Sequence, residues 1–261
     1  METVFQKLRR FNLIMGFFHF VQAIFMVIMA YVVIDKLEAF QPMIVQNYLT
    51  FVPGEGLVLV GRDLFTLPFG ILVALFLFLS ALAHFIIAVP QPVFNVYVAD
   101  LKKGINKFRW FEYALSSSIM IVLVSVLFGV VAIASLLLIF VVNASMNLFG
   151  LVMEQLNSGF DKGNVKWGPF IWGSFAGLAP WVVIGMYIFG SGEIANAPWF
   201  AWAILFTYFF AFNAFPFNMI AQYLKLGKWK DYLYGERTYI VLSLVAKSIL
   251  SWLVLFGAMQ P

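Results

Sequence analysis

The sequence predicts an all-α membrane protein: a bundle of seven transmembrane helices with a β-hairpin in the first outer loop. Of the 261 residues, 63% are hydrophobic and only 11% are charged, and the mean hydropathy is +0.95. A soluble domain carries about 25% charged residues, because its surface must be wetted. The charges are also clustered, which leaves apolar runs of the ~20 residues that cross about 30 Å of hydrocarbon. We interpret residues 1–261 as a single domain embedded in lipid, with no nucleic-acid partner.

Seven hydrophobic segments divide the chain. The stretch from Tyr113 to Met153 carries no charge and is too long for one span, so it predicts two helices joined by a tight turn near Gly129. Basic residues precede the first segment, but its apolar run exceeds a signal peptide's and no cleavage site follows, so we expect a retained helix. The predicted spans are 8–34, 65–89, 108–129, 131–153, 167–190, 198–224 and 234–258.

The distribution of lysine and arginine predicts the orientation. Of the 16 Lys and Arg residues, thirteen lie on one side of the spans, two lie on the other, and one lies within the last span. Because positive charge concentrates on the cytoplasmic side, we expect a cytoplasmic N-terminus and an extracellular C-terminus. The thirteen are Lys7, Arg9, Arg10, Lys102, Lys103, Lys107, Arg109, Lys162, Lys166, Lys225, Lys228, Lys230 and Arg237; the two are Lys36 and Arg62; the last is Lys247.

The first outer loop, residues 35–64, is unusually long. Two β-prone runs, 43–52 and 57–60, flank the turn-forming sequence Pro53-Gly-Glu-Gly56. This pattern predicts a β-hairpin. The alternative is an unstructured loop with apolar patches.

Four ionisable side chains are expected at membrane depth: His19, His84, Glu112 and Lys247. Such groups cost roughly 2.5–3.5 kcal/mol each on insertion scales, so each is a candidate functional residue. Lys247 lies deep within the last span, and the acid at comparable depth is Glu112. They form either a structural ion pair or a reactive site, because a desolvated lysine can condense with an aldehyde to a Schiff base that needs a counter-ion.

Depth along the helices places His19, His84 and Glu112 in the cytoplasmic half of the bundle. Ser80 and His84 are four residues apart and share a helix face, and Arg109 and Glu112 are expected to do the same. The two histidines either belong to a functional cavity or form simple hydrogen bonds between helices, and the sequence leaves both roles open. The absence of cysteine excludes disulfides, thiolate metal sites and cysteine nucleophiles, and we expect no enzymatic activity.

A buried lysine on the seventh helix and a buried acid on the third resemble the plan of microbial rhodopsins. The sequence Phe212-Asn-Ala-Phe215-Pro216 is similar to the segment that lines the retinal ring, and Ser243 lies where pumps of that plan carry a second acid. The inverted orientation and the missing second acid are features of heliorhodopsins, which the whole chain resembles. The strongest segments are 80–85, 108–118, 142–146 and 235–248.

This resemblance implies a retinal-binding photoreceptor in which Lys247 carries all-trans retinal and Glu112 is the counter-ion. It also implies homodimers to which the first outer loop contributes, and the glycines of Gly173-Ser-Phe-Ala-Gly177 are candidates for close helix approach. Residues that match the chromophore surroundings are Ser117, Asn143, Trp181, Phe212, Phe215, Pro216 and Ser243. Residues expected in a polar, water-containing cavity near the Schiff base are His19, Ser80, His84 and Arg109.

We expect a light sensor that signals through an unidentified cytoplasmic partner. The main alternative is a light-driven proton pump or other ion transporter. The outer halves of the spans offer no evident proton relay, which disfavours pumping. A third alternative, a small-molecule transporter without a chromophore, would leave the pairing of Lys247 with Glu112 unexplained.

Overall fold

The computed structural model describes residues 3–33, 41–159, 164–190, 192 and 199–258. Within this part of the chain, seven helices are long and apolar enough to cross a membrane, which confirms the predicted fold class. An eighth, short helix is the third in chain order. In chain order the helices are α1 (Val4–Ile28), α2 (Phe69–Ala88), α3 (Gln91–Leu101), α4 (Lys107–Leu127), α5 (Ile133–Leu156), α6 (Gly168–Gly190), α7 (Trp199–Tyr223) and α8 (Tyr232–Ala258). A π-helical turn, Met29–Val33, extends α1, and a 3-10 turn, Gly227–Lys230, precedes α8.

Some predicted features lie outside the described residues. They are Lys36 and Lys162, which contribute to the charge count, and residues 34–40, 198 and 259–261. We call the end of the bundle that carries the starts of α1, α4 and α8 the basic end, because Arg9, Lys102 and Lys107 lie there. The opposite end is the hairpin end.

Helix α3 was not among the predicted elements. It follows Pro90, has 11 residues, and buries Phe94 and Tyr97 between the ends of its neighbours. Eleven residues are too few to cross a bilayer, and Asn95 and Asp100 interrupt its apolar run, so hydropathy alone does not reveal it. It lies at the basic end, between α2 and α4.

The predicted turn near Gly129 is present between α4 and α5. Gly129 has a φ of +90°, a conformation that favours glycine. The Gly129 N–H donates to the Val126 carbonyl at 3.0 Å, and the Val130 N–H donates to the Ser125 carbonyl at 2.9 Å. These two bonds are a Schellman motif, which closes α4 and reverses the chain.

The predicted β-hairpin is also present. Strand β1 (Met43–Val52) pairs antiparallel with β2 (Gly56–Thr66), so the second strand continues well beyond the predicted run and α2 begins only at Phe69. The Val45 N–H donates to the Val131 carbonyl at 3.0 Å, which attaches the hairpin to the turn between α4 and α5. The hairpin therefore covers the end of the bundle opposite the basic end.

The core lies between α2, α4, α5 and α8, where Phe76, Leu77, Ile121 and Leu250 are fully buried or nearly so. Large apolar side chains also cover the outside of the bundle; Phe175 on α6, for example, is 74% exposed. A surface of this kind is stable against lipid tails and costly in water.

Candidate functional site

Lys247 and Glu112 form an ion pair in the middle of the bundle. The Lys247 Nζ of α8 donates to the Glu112 Oε1 of α4 at 2.5 Å, and both side chains are almost completely buried. Ser80 of α2 donates its hydroxyl to the same Oε1 at 2.7 Å and accepts a hydrogen bond from Lys247. Three helices therefore converge on one pair of opposite charges, which lowers the cost of holding both in the membrane interior.

A large apolar cavity begins at Lys247. Its volume is about 340 Å³, within the roughly 300–1,000 Å³ typical of small-molecule sites. Aromatic residues form much of its lining: Trp181 packs edge-on against Phe209 and Phe212, and Phe215 packs edge-on against Tyr113. Of the residues predicted near the chromophore, this cavity is lined by Ser117, Asn143, Trp181, Phe212, Phe215 and Pro216.

Ser117 and Asn143 form a polar strip on this apolar wall. The Ser117 hydroxyl donates to the Tyr113 carbonyl at 2.7 Å and accepts from the side-chain amides of Asn143 and Asn147 at 2.8 and 2.9 Å. The two amides lie one turn apart on α5, and both converge on α4. The strip joins these helices beside the cavity.

A second, smaller cavity lies on the other side of the ion pair. It measures about 30 Å³, enough for one or two water molecules. Four of the predicted cavity or chromophore residues line it together with Glu112: Ser80, His84, Arg109 and Ser243. Polar groups from α2, α4 and α8 are therefore adjacent to the charged pair on the side that faces the basic end.

His19 and His84 stack against each other between α1 and α2, with ring centroids 5.7 Å apart. The His84 Nδ1 lies 2.8 Å from the Asn12 Oδ1, which accepts if this nitrogen carries the proton. His19 is fully buried but does not line the small cavity, and neither of its ring nitrogens has a hydrogen-bond partner among the described residues. The small cavity therefore includes His84 in its lining, whereas His19, which was predicted there as well, lies outside it.

Arg109 contacts two buried acids that the sequence analysis did not place beside it. It borders the small cavity, but its guanidinium donates to Glu154 of α5 and Glu236 of α8, and no hydrogen bond or ion pair joins it to Glu112 in the described chain. Asn106 donates its backbone N–H to Glu154 at 2.8 Å and its side-chain amide to Glu236 at 2.7 Å. We call Arg109, Glu154 and Glu236 the ion cluster.

The Tyr97 hydroxyl of α3 donates a further hydrogen bond to Glu236, at 3.1 Å. Burial raises the pKa of the Tyr97 phenol well above its ordinary value, and the neighbouring Glu236 carboxylate raises it further. The phenol therefore remains a hydrogen-bond donor throughout the physiological pH range. The unpredicted helix α3 is thus attached to the ion cluster.

The sequence analysis did not identify the ion cluster, which adds three buried ionisable side chains near the basic end. Glu154 and Glu236 are each 1% exposed and lie inside membrane-spanning helices. In the sequence both acids lie close to basic loops, so they are indistinguishable from solvated loop residues. The available signal was the position of Glu154 directly after the long charge-free run.

The pattern Gly173-Ser-Phe-Ala-Gly177 permits close packing within the chain. A Cβ at Gly173 would lie 3.0 Å from the Phe149 Cβ, and one at Gly177 would meet the Met146 side chain. Both glycines therefore face α5 of the same protein. The close helix approach predicted from this pattern is therefore present, between α6 and α5 of one chain.

The comparison with known proteins agrees with this architecture. No curated protein matches the chain. The family model described as heliorhodopsin matches residues 8–259, nearly the whole of the chain. With seven apolar helices, a buried lysine beside an acid and an adjoining apolar cavity, the chain is an integral membrane protein and belongs to the heliorhodopsin family of retinal-binding, rhodopsin-type photoreceptors.

Proposed function

We propose that the protein is a light sensor in which Lys247 carries all-trans retinal as a Schiff base and Glu112 is the counter-ion. One observation carries this proposal: Lys247, whose buried amine is paired with Glu112, also lines the apolar cavity, the space that a ligand would fill. The all-trans isomer and the light-sensing role rest on the family resemblance.

The cavity suits retinal, which is an elongated apolar aldehyde with a bulky ring. Its lining is aromatic and aliphatic along most of its length, and the polar strip of Ser117 and Asn143 touches one side. Trp181, Phe212, Phe215 and Pro216 form walls for an apolar ring. These residues would hold the chromophore by burial and shape, and Lys247 would fix one end of it.

The chemistry at Lys247 requires an amine with a free electron pair. Lys247 would hold the aldehyde as an imine, with the aldehyde oxygen lost as water. Glu112, which lies beside Nζ, would stabilise the positive charge on this nitrogen when it is protonated. Ser80 orients this carboxylate through its hydrogen bond to Oε1.

Retinal supplies the absorption of visible light and an isomerisation that changes its shape. The protein supplies groups that can accept the proton of the Lys247 nitrogen or a hydrogen bond from it. They border the adjacent small cavity and are Ser80, His84, Glu112 and Ser243. This cavity lies on the side of the basic end, where we propose that an unidentified cytoplasmic partner receives the signal.

The test is the absorption spectrum of the protein expressed with retinal. A visible band that is absent without retinal supports a bound retinal chromophore. A protein that folds and yet shows no visible band with retinal would favour the transporter without a chromophore.

Light should produce no sustained pumping of protons. In the described chain, the eight residues nearest the hairpin end of each span include no Asp, Glu, His, Lys or Arg, and these residues cover about 12 Å of depth. Illuminated cells that carry the pigment should therefore show no steady pH change that a protonophore abolishes. A steady, protonophore-sensitive flux would refute the sensor and establish the pump.

We propose a cytoplasmic N-terminus and an extracellular C-terminus, from the thirteen-to-two distribution of basic residues. A tag at the N-terminus of intact cells should therefore be protected from an impermeant label, while a tag after Pro261 is labelled. A tag at the N-terminus in permeabilised cells controls for accessibility. The opposite pattern of labelling would refute the proposed orientation. It would also refute the proposal that the signal is received on the cytoplasmic side.

We also propose that the protein forms a homodimer to which the hairpin contributes. One face of the hairpin carries Leu49, Phe51, Leu57 and Leu59, each 66–69% exposed and paired across the strands. An apolar sheet face of this kind favours contact with a second surface.

A further inference from the structure

Trp110 lies between the large cavity and the ion cluster. It is 6% exposed, and it lines the large cavity near the basic end. On its other side, the indole Nε1 donates to the Glu154 Oε2 at 2.7 Å, and the Arg109 guanidinium carbon lies 5.0 Å from the ring centroid. One side chain therefore contacts the space proposed for the chromophore and the buried charges beyond it.

The indole also contacts the backbone of α5 at Gly150. A Cβ at this position would overlap the six-membered ring of Trp110, so only glycine permits the observed packing. Gly150 and Glu154 are four residues apart and share a face of α5. Trp110 thus holds α5 at two points, through its ring at Gly150 and through its N–H at Glu154.

Glu154 is the residue by which the ion cluster holds α5. Its carboxylate accepts from the Asn106 N–H, Arg109, Trp110 and the Tyr232 hydroxyl, and these groups belong to α4, the loop before it and α8. Of these four donors in the described chain, Trp110 is the one that lines the large cavity. This indole is therefore the direct contact between the large cavity and Glu154.

We infer that Trp110 is a positioning residue that couples the large cavity to the ion cluster, and so to the attachment of α5 at the basic end. This inference rests on the proposed function, in which light changes the contents of the cavity. Tyr113 and Tyr239 pack edge-on against the indole with centroids 6.1 Å away, and the large cavity also borders it. Because hydrogen bonds weaken steeply as their angle closes, a tilt of the ring weakens its bond to Glu154.

The first test uses the protein without retinal. Trp110→Phe keeps an aromatic ring against Gly150 and removes the N–H, while Glu154→Leu keeps most of the side-chain volume and removes the oxygens that accept it. Each change should lower the midpoint of thermal unfolding, and the double variant should lower it by less than the sum of the two, because they remove the same interaction. Additive shifts would show that the indole and the carboxylate do not interact and would overturn the inference.

The second test measures movement at the basic end in the retinal-bound protein. The chain has no cysteine, so cysteines at the exposed positions Gln155 and Lys228 accept spin labels specifically. Illumination should shift the distance distribution between the labels. Trp110→Phe should keep the visible band and the dark distribution and lose more than half of the light-induced shift.

Trp172→Phe is the matched control, because Trp172 is 63% exposed on the lipid face of α6. It should leave the light-induced shift unchanged. An unchanged shift in Trp110→Phe, or a dark distribution already altered by this substitution, would overturn the coupling role. If the unsubstituted protein forms no pigment, the proposed function fails, and the thermal comparison still decides whether Trp110 and Glu154 interact.

Discussion

Lys247→Ala should give a colourless protein when it is expressed with retinal. Alanine has no amine, and Lys247→Arg should also be colourless, because a guanidinium remains protonated and does not form an imine. The measurement is the visible absorption of the purified protein. A retained visible band in either variant would show that retinal is attached elsewhere.

The control for this prediction is Lys228→Ala, which removes an exposed lysine near the start of α8 and should leave the band intact. Folding must be checked separately, because removing one partner of a buried pair costs about 3–5 kcal/mol. The double variant Lys247→Ala with Glu112→Gln leaves no unpaired charge, so it should recover part of that loss. It should still be colourless.

Glu112→Gln should make the visible band disappear at a lower pH than in the unsubstituted protein. The carboxylate stabilises the protonated, visible-absorbing form of the Schiff base, so its removal favours the deprotonated form that absorbs in the near ultraviolet. An adjacent opposite charge typically moves such an equilibrium by about 1–3 pH units, and we expect a shift of that size. The measurement is a pH titration of the visible band.

The titration is made at low and at high chloride, because a solution anion that enters the small cavity would replace part of the lost charge. Glu154→Gln is the matched control: it removes a buried carboxylate that pairs with Arg109 and does not contact Lys247. The pH midpoint of the visible band should move less in Glu154→Gln than in Glu112→Gln. A midpoint that is unchanged in Glu112→Gln at both chloride concentrations would assign the counter-ion to another group.

The sequence by itself predicted the features for which a membrane permits only one structure. Seven uninterrupted apolar runs have to become helices, because lipid offers no partner for a free backbone group. The Pro-Gly turn between two β-prone runs predicted the hairpin, and Gly129 marked the reversal between α4 and α5. The pairing of Lys247 with Glu112 was expected for the same reason, since a buried charge at that depth needs an opposite charge.

The tertiary structure decided which side chains meet across helices. Arg109 is equally able, in sequence, to face Glu112 or to reach Glu154 and Glu236, which lie 45 and 127 residues away. The glycines of α6 likewise carry no sign of whether they face another copy or α5. Contacts between distant segments depend on how each helix is rotated about its axis, and this rotation follows from packing that no local pattern contains. For that reason Trp110, an ordinary aromatic residue in the sequence, becomes a link between two sites only in the folded protein.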